Sequence, residues 1–259
     1  MIFESHAHYD DEKFENDRDL LIQNLLSGKI CTIINVGASL EGTKASIALA
    51  EKYGQIYAAV GVHPSEIDEL NEETFAWLRK QTGHEKVVAV GEIGLDYYWE
   101  KDPKVQERQR EWFARQMELA RECGLPVIIH SRDAAADTMK VMQQVHGEEI
   151  PGVVHCYSYS PELAEEFVKM GYYIGVGGVV TFKNAKKLKE TVRKIPLNKI
   201  LLETDAPYMA PEPHRGERNH SGYLTLVAEK IAEIKEVSVE EVEETTKNNA
   251  EKLFCISKR

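Results

Sequence analysis

The residues of this 259-residue chain that could do chemistry are histidines and carboxylates that follow short apolar segments. Imidazole and carboxylate together form the ligand set that zinc and its first-row neighbours bind in proteins. Six such side chains follow five of these segments: His6, His8, Glu92, His130, His155 and Asp205. One tetrahedral ion needs fewer ligands, so the set favours a site for two divalent ions.

The order of these residues along the chain divides them into two groups. His6 and His8 are two residues apart, so on a strand both side chains point to the same face. Asp205 follows the last apolar segment, and two histidines follow the fifth and sixth segments. Glu92 stands between the groups and offers two oxygens, so it could be shared by two ions. Each residue alone is more often structural, and the prediction depends on the shared position of all six.

Eight apolar segments of strand length must position these side chains. They are residues 1–3, 30–36, 56–62, 87–90, 126–129, 152–154, 172–176 and 200–202. Amphipathic segments of helix length lie between them, the clearest at 103–123. Eight strands, each followed by a helix, are typical of an α/β chain folded as a (β/α)8 TIM barrel, which uses the C-terminal ends of its strands for chemistry. No linker is evident, so we predict one domain over 1–259. A doubly wound open sheet is the alternative.

Composition excludes several functional classes. The chain has 32 Lys+Arg against 43 Asp+Glu, a net charge of −11, which argues against binding to nucleic acid or anionic lipid through its overall field. Its four cysteines have neither disulfide-framework nor zinc-finger spacing, so we expect a reducing cytoplasm. No signal peptide and no membrane-spanning apolar segment is evident.

Further candidates lie on loops that a barrel would place at the same face. Glu203 is a second catalytic candidate, either an alternative base or a group that positions ligands; a buried structural carboxylate is the other interpretation. His63 ends the third segment and is predicted to contact substrate. Arg132 and Arg218 could bind phosphates, although each could equally be a solvated charge. The aromatic residues at 97–99 could stack on bases or pack over the rim.

Six motifs resemble those of the TatD family of metal-dependent hydrolases, part of the amidohydrolase superfamily. They are HAH at 6–8, GVHP at 61–64, GEIGLDY at 91–97, PVIIH at 126–130, VHC at 154–156 and LETDAPY at 202–208. The resemblance implies a TIM barrel with a binuclear site, in which Glu92 takes the place that many superfamily members give to a carboxylated lysine. It also implies DNase activity, with 3′-to-5′ exonuclease action typical of better-known members.

The expected mechanism is hydrolysis of a phosphodiester bond. Two divalent ions, Zn²⁺, Mn²⁺ or Mg²⁺, would polarise a phosphoryl oxygen and lower the pKa of a water. Asp205 is predicted to accept the proton of that water. The ions would place about four positive charges in one pocket, so the acidic net charge is compatible with a nuclease that takes a DNA end or a short single strand. No obligate protein partner and no membrane partner is expected.

Three departures from the family pattern leave the substrate open. Glu4 stands where the family usually has Asp, and the segments 157–159 and 220–221 also differ. None of these touches the six predicted ligands, so they bear on substrate preference. One alternative is an ester or amide hydrolase, for instance one that removes a misattached D-aminoacyl group from tRNA, since the same water activation serves both reactions. The other is a metal-binding scaffold without turnover.

Overall fold

Eight parallel strands follow one another around a single sheet in chain order. The computed structural model describes residues 1–256, so the predicted domain end at residue 259 lies outside them. The strands are β1 (Ile2–Ala7), β2 (Ile30–Val36), β3 (Ile56–Val60), β4 (Val87–Asp96), β5 (Val127–Arg132), β6 (Gly152–Val154), β7 (Tyr173–Val176) and β8 (Ile200–Leu202). Each of the eight predicted segments therefore overlaps one strand.

The first and last strands meet just beyond the end of β8. The backbone N–H of Asp205 donates to the carbonyl of His6 at 3.0 Å, and the N–H of His8 donates to the carbonyl of Ala206 at 2.8 Å. Ala7 and Ala206 form a parallel bridge there. This seam brings the two edges of the sheet together, so the predicted TIM barrel is confirmed and the open doubly wound sheet is excluded.

Nine helices of the described chain cover the outside of the barrel. They are α1 (Arg18–Leu26), α2 (Leu40–Lys52), α3 (Glu72–Gln81), α4 (Pro103–Cys123), α5 (Ala135–Gln144), α6 (Pro161–Lys169), α7 (Lys186–Lys194), α8 (Leu224–Lys235) and α9 (Val239–Leu253). Local sequence explains several of their ends. Gly124, with φ +66°, ends α4, and Ser160 caps α6 by accepting from the N–H of Leu163.

Strand β4 is longer than its apolar segment predicts and contains Glu92. Pairing with β5 continues through Ile93 with Ile129 and Gly94 with His130. Gly94 has φ +145°, and a Cβ atom there would lie 1.9 Å from the carbonyl oxygen of His130. Only glycine permits this approach, so strand pairing extends past the point where the hydrophobic pattern ends.

The two ends of the barrel interior differ in polarity. At the N-terminal end of the strands, Phe3, Val88 and Leu201 form an apolar cluster. Phe254, just after α9, stacks on Phe3 with ring centroids 6.0 Å apart. The titratable interior side chains therefore gather at the opposite end, where the strands finish.

Two predictions made from composition concern membranes and disulfides. Within residues 1–256, no helix combines the length and the apolar character needed to cross a bilayer. All four cysteines are free. A disulfide framework is thus absent, as the cysteine spacing indicates.

Candidate metal centre

The barrel brings all six predicted metal ligands into contact distance at the C-terminal ends of the strands. Three of them belong to strands β1, β4 and β5, and the other three follow the ends of β1, β6 and β8 by one to three residues. Those positions are His6, His8, Glu92, His130, His155 and Asp205. Residues more than 190 positions apart in sequence thus surround one pocket, because closure of the barrel places β8 next to β1.

Glu92 lies at the centre of the cluster, and its two oxygens face different histidines. Oε2 lies 3.4 Å from Nε2 of His6 and 3.6 Å from Nε2 of His8. Oε1 lies 2.8 Å from Nδ1 of His130 and 3.5 Å from Nε2 of His155. A carboxylate that presents one oxygen to each of two imidazole pairs has the arrangement expected of a shared ligand.

Asp205 lies beside both pairs. Its Oδ1 atom is 3.5 Å from Nε2 of His8, 3.8 Å from Nε2 of His6 and 3.9 Å from Nε2 of His155. Asp205 has φ +58°, a conformation that aspartate tolerates better than most residues. The hydrogen bond from its N–H to His6 fixes this geometry at the barrel seam.

Hydrogen bonds outside the cluster set the tautomer of His8. Its Nδ1 lies 2.8 Å from the carbonyl oxygen of Val36, which can only accept, so Nδ1 must carry a proton. In the neutral ring the lone pair is then on Nε2. That atom lies 3.1 Å from Nε2 of His6 and close to two carboxylates. A donor atom held in this way is prepared for a cation.

Asp96 holds His130 in the same manner. Its Oδ2 lies 3.1 Å from Nε2 of His130, while Nδ1 of that ring faces Glu92. A carboxylate that accepts one ring N–H leaves the other nitrogen free to bind a metal, an arrangement common around metal-bound histidines. We infer that Asp96 orients this predicted ligand.

Glu203 lies behind the cluster and is only 1% exposed. Its Oε1 accepts from the N–H of Cys156 at 2.5 Å and lies 3.3 Å from Nδ1 of His155. Three buried side-chain atoms of the described chain lack a hydrogen-bond partner, namely Nδ1 of His6, Nδ1 of His155 and Oε2 of Glu203. These three residues also form one compact group of donor atoms. The rings of His6 and His155 stack with centroids 3.6 Å apart, so one buried carboxylate lies beside both imidazoles.

Mutual charge stabilisation governs protonation in the metal-free cluster. Burial opposes ionisation of Glu92 and Asp205, but neighbouring imidazoles outweigh it and hold the pKa of both carboxyls below the usual range. Burial likewise lowers the pKa of His8 and His155, yet the adjacent carboxylates raise them to about 9 and about 10. The pKa of His6 is lowered, first by burial and then by His155. In the metal-free cluster, protonated histidines thus offset the negative charge of the carboxylates. Bound cations would otherwise offset that charge.

These features fit divalent ions. Within residues 1–256, four triplets of potential donors lie close enough to hold an ion. They are His6, His8 and Asp205; His63, Glu92 and His130; His155, Cys156 and Asp205; and His6, His155 and Glu203. The first triplet matches one group expected from chain order. The second contains His63 where chain order places His155, and His155 instead joins the triplets of Asp205 and of His6.

Two residues have surroundings that the sequence does not indicate. His63, predicted to contact substrate, lies in the donor cluster, with Nε2 3.8 Å from Oε1 of Glu92. Its pKa is lowered to about 3, first by burial and then by His130, so the ring is neutral. Cys156 belongs to one donor triplet. The only sequence feature that could have indicated this is its position next to His155.

The two arginines predicted to bind substrate have different surroundings. Arg132 is exposed at the end of β5, and its guanidinium lies 4.0 Å from the ring centroid of Tyr98. Arg218 is bound by Asp17 through both terminal nitrogens, at 2.7 and 2.6 Å, and also donates to the carbonyl of Lys13. The guanidinium of Arg218 is thus engaged by a protein carboxylate, and its role with substrate stays a prediction.

Comparison with known proteins identifies the family. A family model described as TatD related DNase matches residues 3–255. The chain belongs to the TatD family. The resemblance seen in the motifs is therefore confirmed, and the match extends over nearly the whole barrel.

Relatives of known sequence and structure agree with this assignment. The uncharacterized metal-dependent hydrolase YabD of Bacillus subtilis is 43% identical over 257 residues, covering 99% of this chain and 100% of YabD. YcfH of Escherichia coli, also named a metal-dependent hydrolase, is 36% identical over 260 residues, covering 99% of this chain and 96% of YcfH. The crystal structure of YjjV, a TatD homologue from Escherichia coli, superposes with a TM-score of 0.91 at 34% identity and covers 98% of each chain.

Proposed function

We propose that this protein is a metal-dependent hydrolase that cleaves phosphodiester bonds at DNA ends, with 3′-to-5′ polarity and two divalent ions. The arrangement of Glu92 carries the proposal, because one buried carboxylate presents an oxygen to each of two histidine pairs. The family description, TatD related DNase, supports DNA as the substrate. The named relatives support a metal-dependent hydrolase in general.

The proposed ligands divide between two ions. His6, His8 and Asp205 would hold one ion, and His130 and His155 the other, with Glu92 shared. Bound divalent ions supply Lewis-acid polarisation of a phosphoryl oxygen and lower the pKa of a water. The histidine-rich donor set favours Zn²⁺ or Mn²⁺ over Mg²⁺.

The protein's own residues would orient the reactants and move the proton. Asp205 is ionised near neutral pH, because nearby imidazoles lower its pKa against the effect of burial, so its carboxylate can accept a proton from water. Glu203 is buried behind His155, a location that suits a positioning role better than proton exchange with water. His63 is neutral and lies beside Glu92, where it could donate to a phosphate oxygen.

The charge of the chain defines the expected binding behaviour. A net charge of −11 disfavours long-range attraction of a polyanion, so affinity should depend on cations bound in the pocket. We therefore propose a DNA end or a short single strand as the bound form of substrate. The cytoplasm stays the expected location, on the basis of the cysteine usage.

A direct test uses metal-free protein reloaded with Zn²⁺, Mn²⁺ or Mg²⁺ and single-stranded oligonucleotides labelled at the 5′ end. Stepwise shortening from the 3′ end supports the proposal. EDTA and the substitution Glu92→Ala should abolish cleavage. A matched control is Glu41→Gln, which changes an exposed carboxylate on α2 whose side chain is 83% exposed.

The same preparations decide between the alternatives. Release of an amino acid from D-aminoacyl-tRNA without DNA cleavage would replace the nuclease proposal with an ester hydrolase. Metal binding with no hydrolysis of either substrate would favour a scaffold. Cleavage that persists in Glu92→Ala and in EDTA would overturn the metal-dependent mechanism.

A further inference from the structure

Two large aromatic side chains are exposed beyond the end of β4. Trp99 is 73% exposed and Tyr98 is 45% exposed, among the most exposed large hydrophobic side chains of the described residues. Their rings meet edge to face, with centroids 4.8 Å apart. Exposed aromatic surface of this kind often marks a binding site.

The neighbouring Tyr97 is held by hydrogen bonds, unlike the two exposed aromatic residues that follow it. Its hydroxyl donates to Asp137 at 2.8 Å and accepts from Arg110 at 2.7 Å. Tyr97 therefore ties the loop to α4 and α5. The side chains of Tyr98 and Trp99 have no comparable hydrogen bond within residues 1–256, and their rings are exposed.

One carboxylate connects this aromatic pair to the metal centre. Oδ1 of Asp96 accepts from the backbone N–H groups of Tyr98 and Trp99 at 2.9 and 3.0 Å. Oδ2 of Asp96 lies 3.1 Å from Nε2 of the proposed ligand His130. The position of the aromatic pair is thus fixed relative to the proposed metal centre through a single side chain.

Arg132 adds a positive charge to the aromatic pair. Its guanidinium lies 4.0 Å from the ring centroid of Tyr98 and 5.6 Å from that of Trp99. No carboxylate of residues 1–256 forms an ion pair with it, whereas Arg110 and Arg218 are each paired. Arg132 also lies only two residues after His130 on β5. Its donors are therefore available to an anion near the metal centre.

We propose that Trp99, Tyr98 and Arg132 form a nucleotide subsite beside the metal centre. An unpaired base would stack on the aromatic pair, and Arg132 would bind the adjoining phosphate. This inference rests on the proposed function and adds the substrate class, a strand with an unpaired base next to the cleaved bond. Bases within a duplex have their faces covered, so a single-stranded or frayed end is preferred over a closed duplex end.

The test compares oligonucleotides with and without a base near the 3′ end. Wild-type protein should lose kcat/KM by about 5- to 150-fold when an abasic tetrahydrofuran residue replaces the stacked nucleotide. Trp99→Ala should show the same loss on the normal strand and little further loss on the abasic strand, because both changes remove one interaction. Trp99→Phe should restore much of the preference, and Arg132→Lys should retain more activity than Arg132→Ala.

A binding measurement separates this inference from the nuclease proposal. Quenching of tryptophan fluorescence by oligothymidylate is measured in the presence of Mg²⁺. The measurement uses the Asp205→Asn variant, because this substitution limits cleavage. Quenching should disappear in Trp99→Phe and persist in Trp77→Phe, which removes a tryptophan on the outer helix α3.

The four outcomes have distinct meanings. DNA cleavage with base dependence lost in Trp99→Ala supports the subsite. Cleavage that ignores the missing base, or is unchanged in Trp99→Ala, overturns the subsite and leaves the nuclease proposal. Absence of both cleavage and quenching overturns both. Quenching that depends on Trp99 without cleavage supports the subsite and overturns the nuclease proposal.

Discussion

Nδ1 of His155 lies 3.3 Å from Oε1 of Glu203, while Nε2 of the same ring faces Glu92 and Asp205. Nδ1 of His6 is also buried without a hydrogen-bond partner, and His6 belongs to the same compact donor group as His155 and Glu203. Because the proposed function assigns His6 and His155 to different ions, one buried carboxylate can orient a ligand of each proposed ion.

The substitution Glu203→Gln should therefore weaken metal binding while keeping the fold. Loss of a carboxylate that orients ligands commonly reduces metal affinity by about 10- to 100-fold. Titration of the metal-free protein against a competing chelator gives the affinity, and circular dichroism checks the fold. Glu41→Gln, on the outer helix α2, serves as the control, and equal affinity in the two variants would contradict the role of Glu203.

Gly175→Ala tests the same relationship without removing a charge. A Cβ atom at Gly175 would lie 2.3 Å from Oε2 of Glu203, so the methyl group must displace the carboxylate. We expect metal affinity to fall as in Glu203→Gln, and the double variant to add little. If the losses of metal-binding free energy in the two single variants add fully in the double variant, Gly175 acts independently of Glu203.

Metal affinity should rise steeply with pH in the neutral and mildly alkaline range. In the metal-free protein the pKa values of His8 and His155 are about 9 and about 10, so both rings are protonated at pH 7 and must release protons to bind metal. Each displaced proton strengthens apparent affinity about tenfold per pH unit until the pKa is reached. Calorimetry in buffers of different ionisation enthalpy counts the released protons, and a pH-independent affinity without proton release would contradict the prediction.

The stability of the metal-free protein should show the opposite trend. An unfolded histidine has a pKa of about 6.5. Because folding raises the values for His8 and His155 to about 9 and about 10, their stabilising contribution is complete below about pH 6.5 and is lost as pH rises through those values. Thermal melts from pH 7 to pH 10 should show a smaller decrease in His155→Gln than in the wild type.

Asp205→Asn should separate chemistry from metal occupancy. If Asp205 accepts the proton of water, kcat falls by about 10²- to 10⁴-fold at saturating metal. Glu92→Ala should instead lose bound metal, since it removes the carboxylate common to both histidine pairs. The metal content and the kcat of each purified variant are measured and compared. A near-normal kcat in Asp205→Asn would show that another group accepts the proton of water.

The pairing of Arg218 with Asp17 yields a test of its predicted contact with substrate. If Arg218 contacts a substrate phosphate, Arg218→Ala should raise KM much more than Asp17→Asn does. We expect the two variants to behave alike, because Asp17 already binds both terminal nitrogens of Arg218. A double-mutant cycle on thermal stability should give a coupling of about 0.2–1 kcal/mol for this partly exposed pair.

Much of the barrel can be predicted from local sequence. Continuous apolar segments mark strands that are buried on both faces, and Gly124 and Ser160 mark helix ends by their backbone preferences. The length of β4 could not be predicted in this way. Its pairing past Val90 depends on the close approach of Gly94 to β5, a contact between distant segments.

The sequence by itself determined the residue types of the candidate centre and their place at strand ends, because strand periodicity and apolar patterning are local properties. Only the tertiary structure decided which atoms face each other. The two oxygens of Glu92, the partner of Arg218 and the enclosure of Glu203 behind His155 depend on barrel closure, which joins β1 to the end of β8. Distances between side chains so far apart in the chain follow from packing, and local patterns contain no information about them.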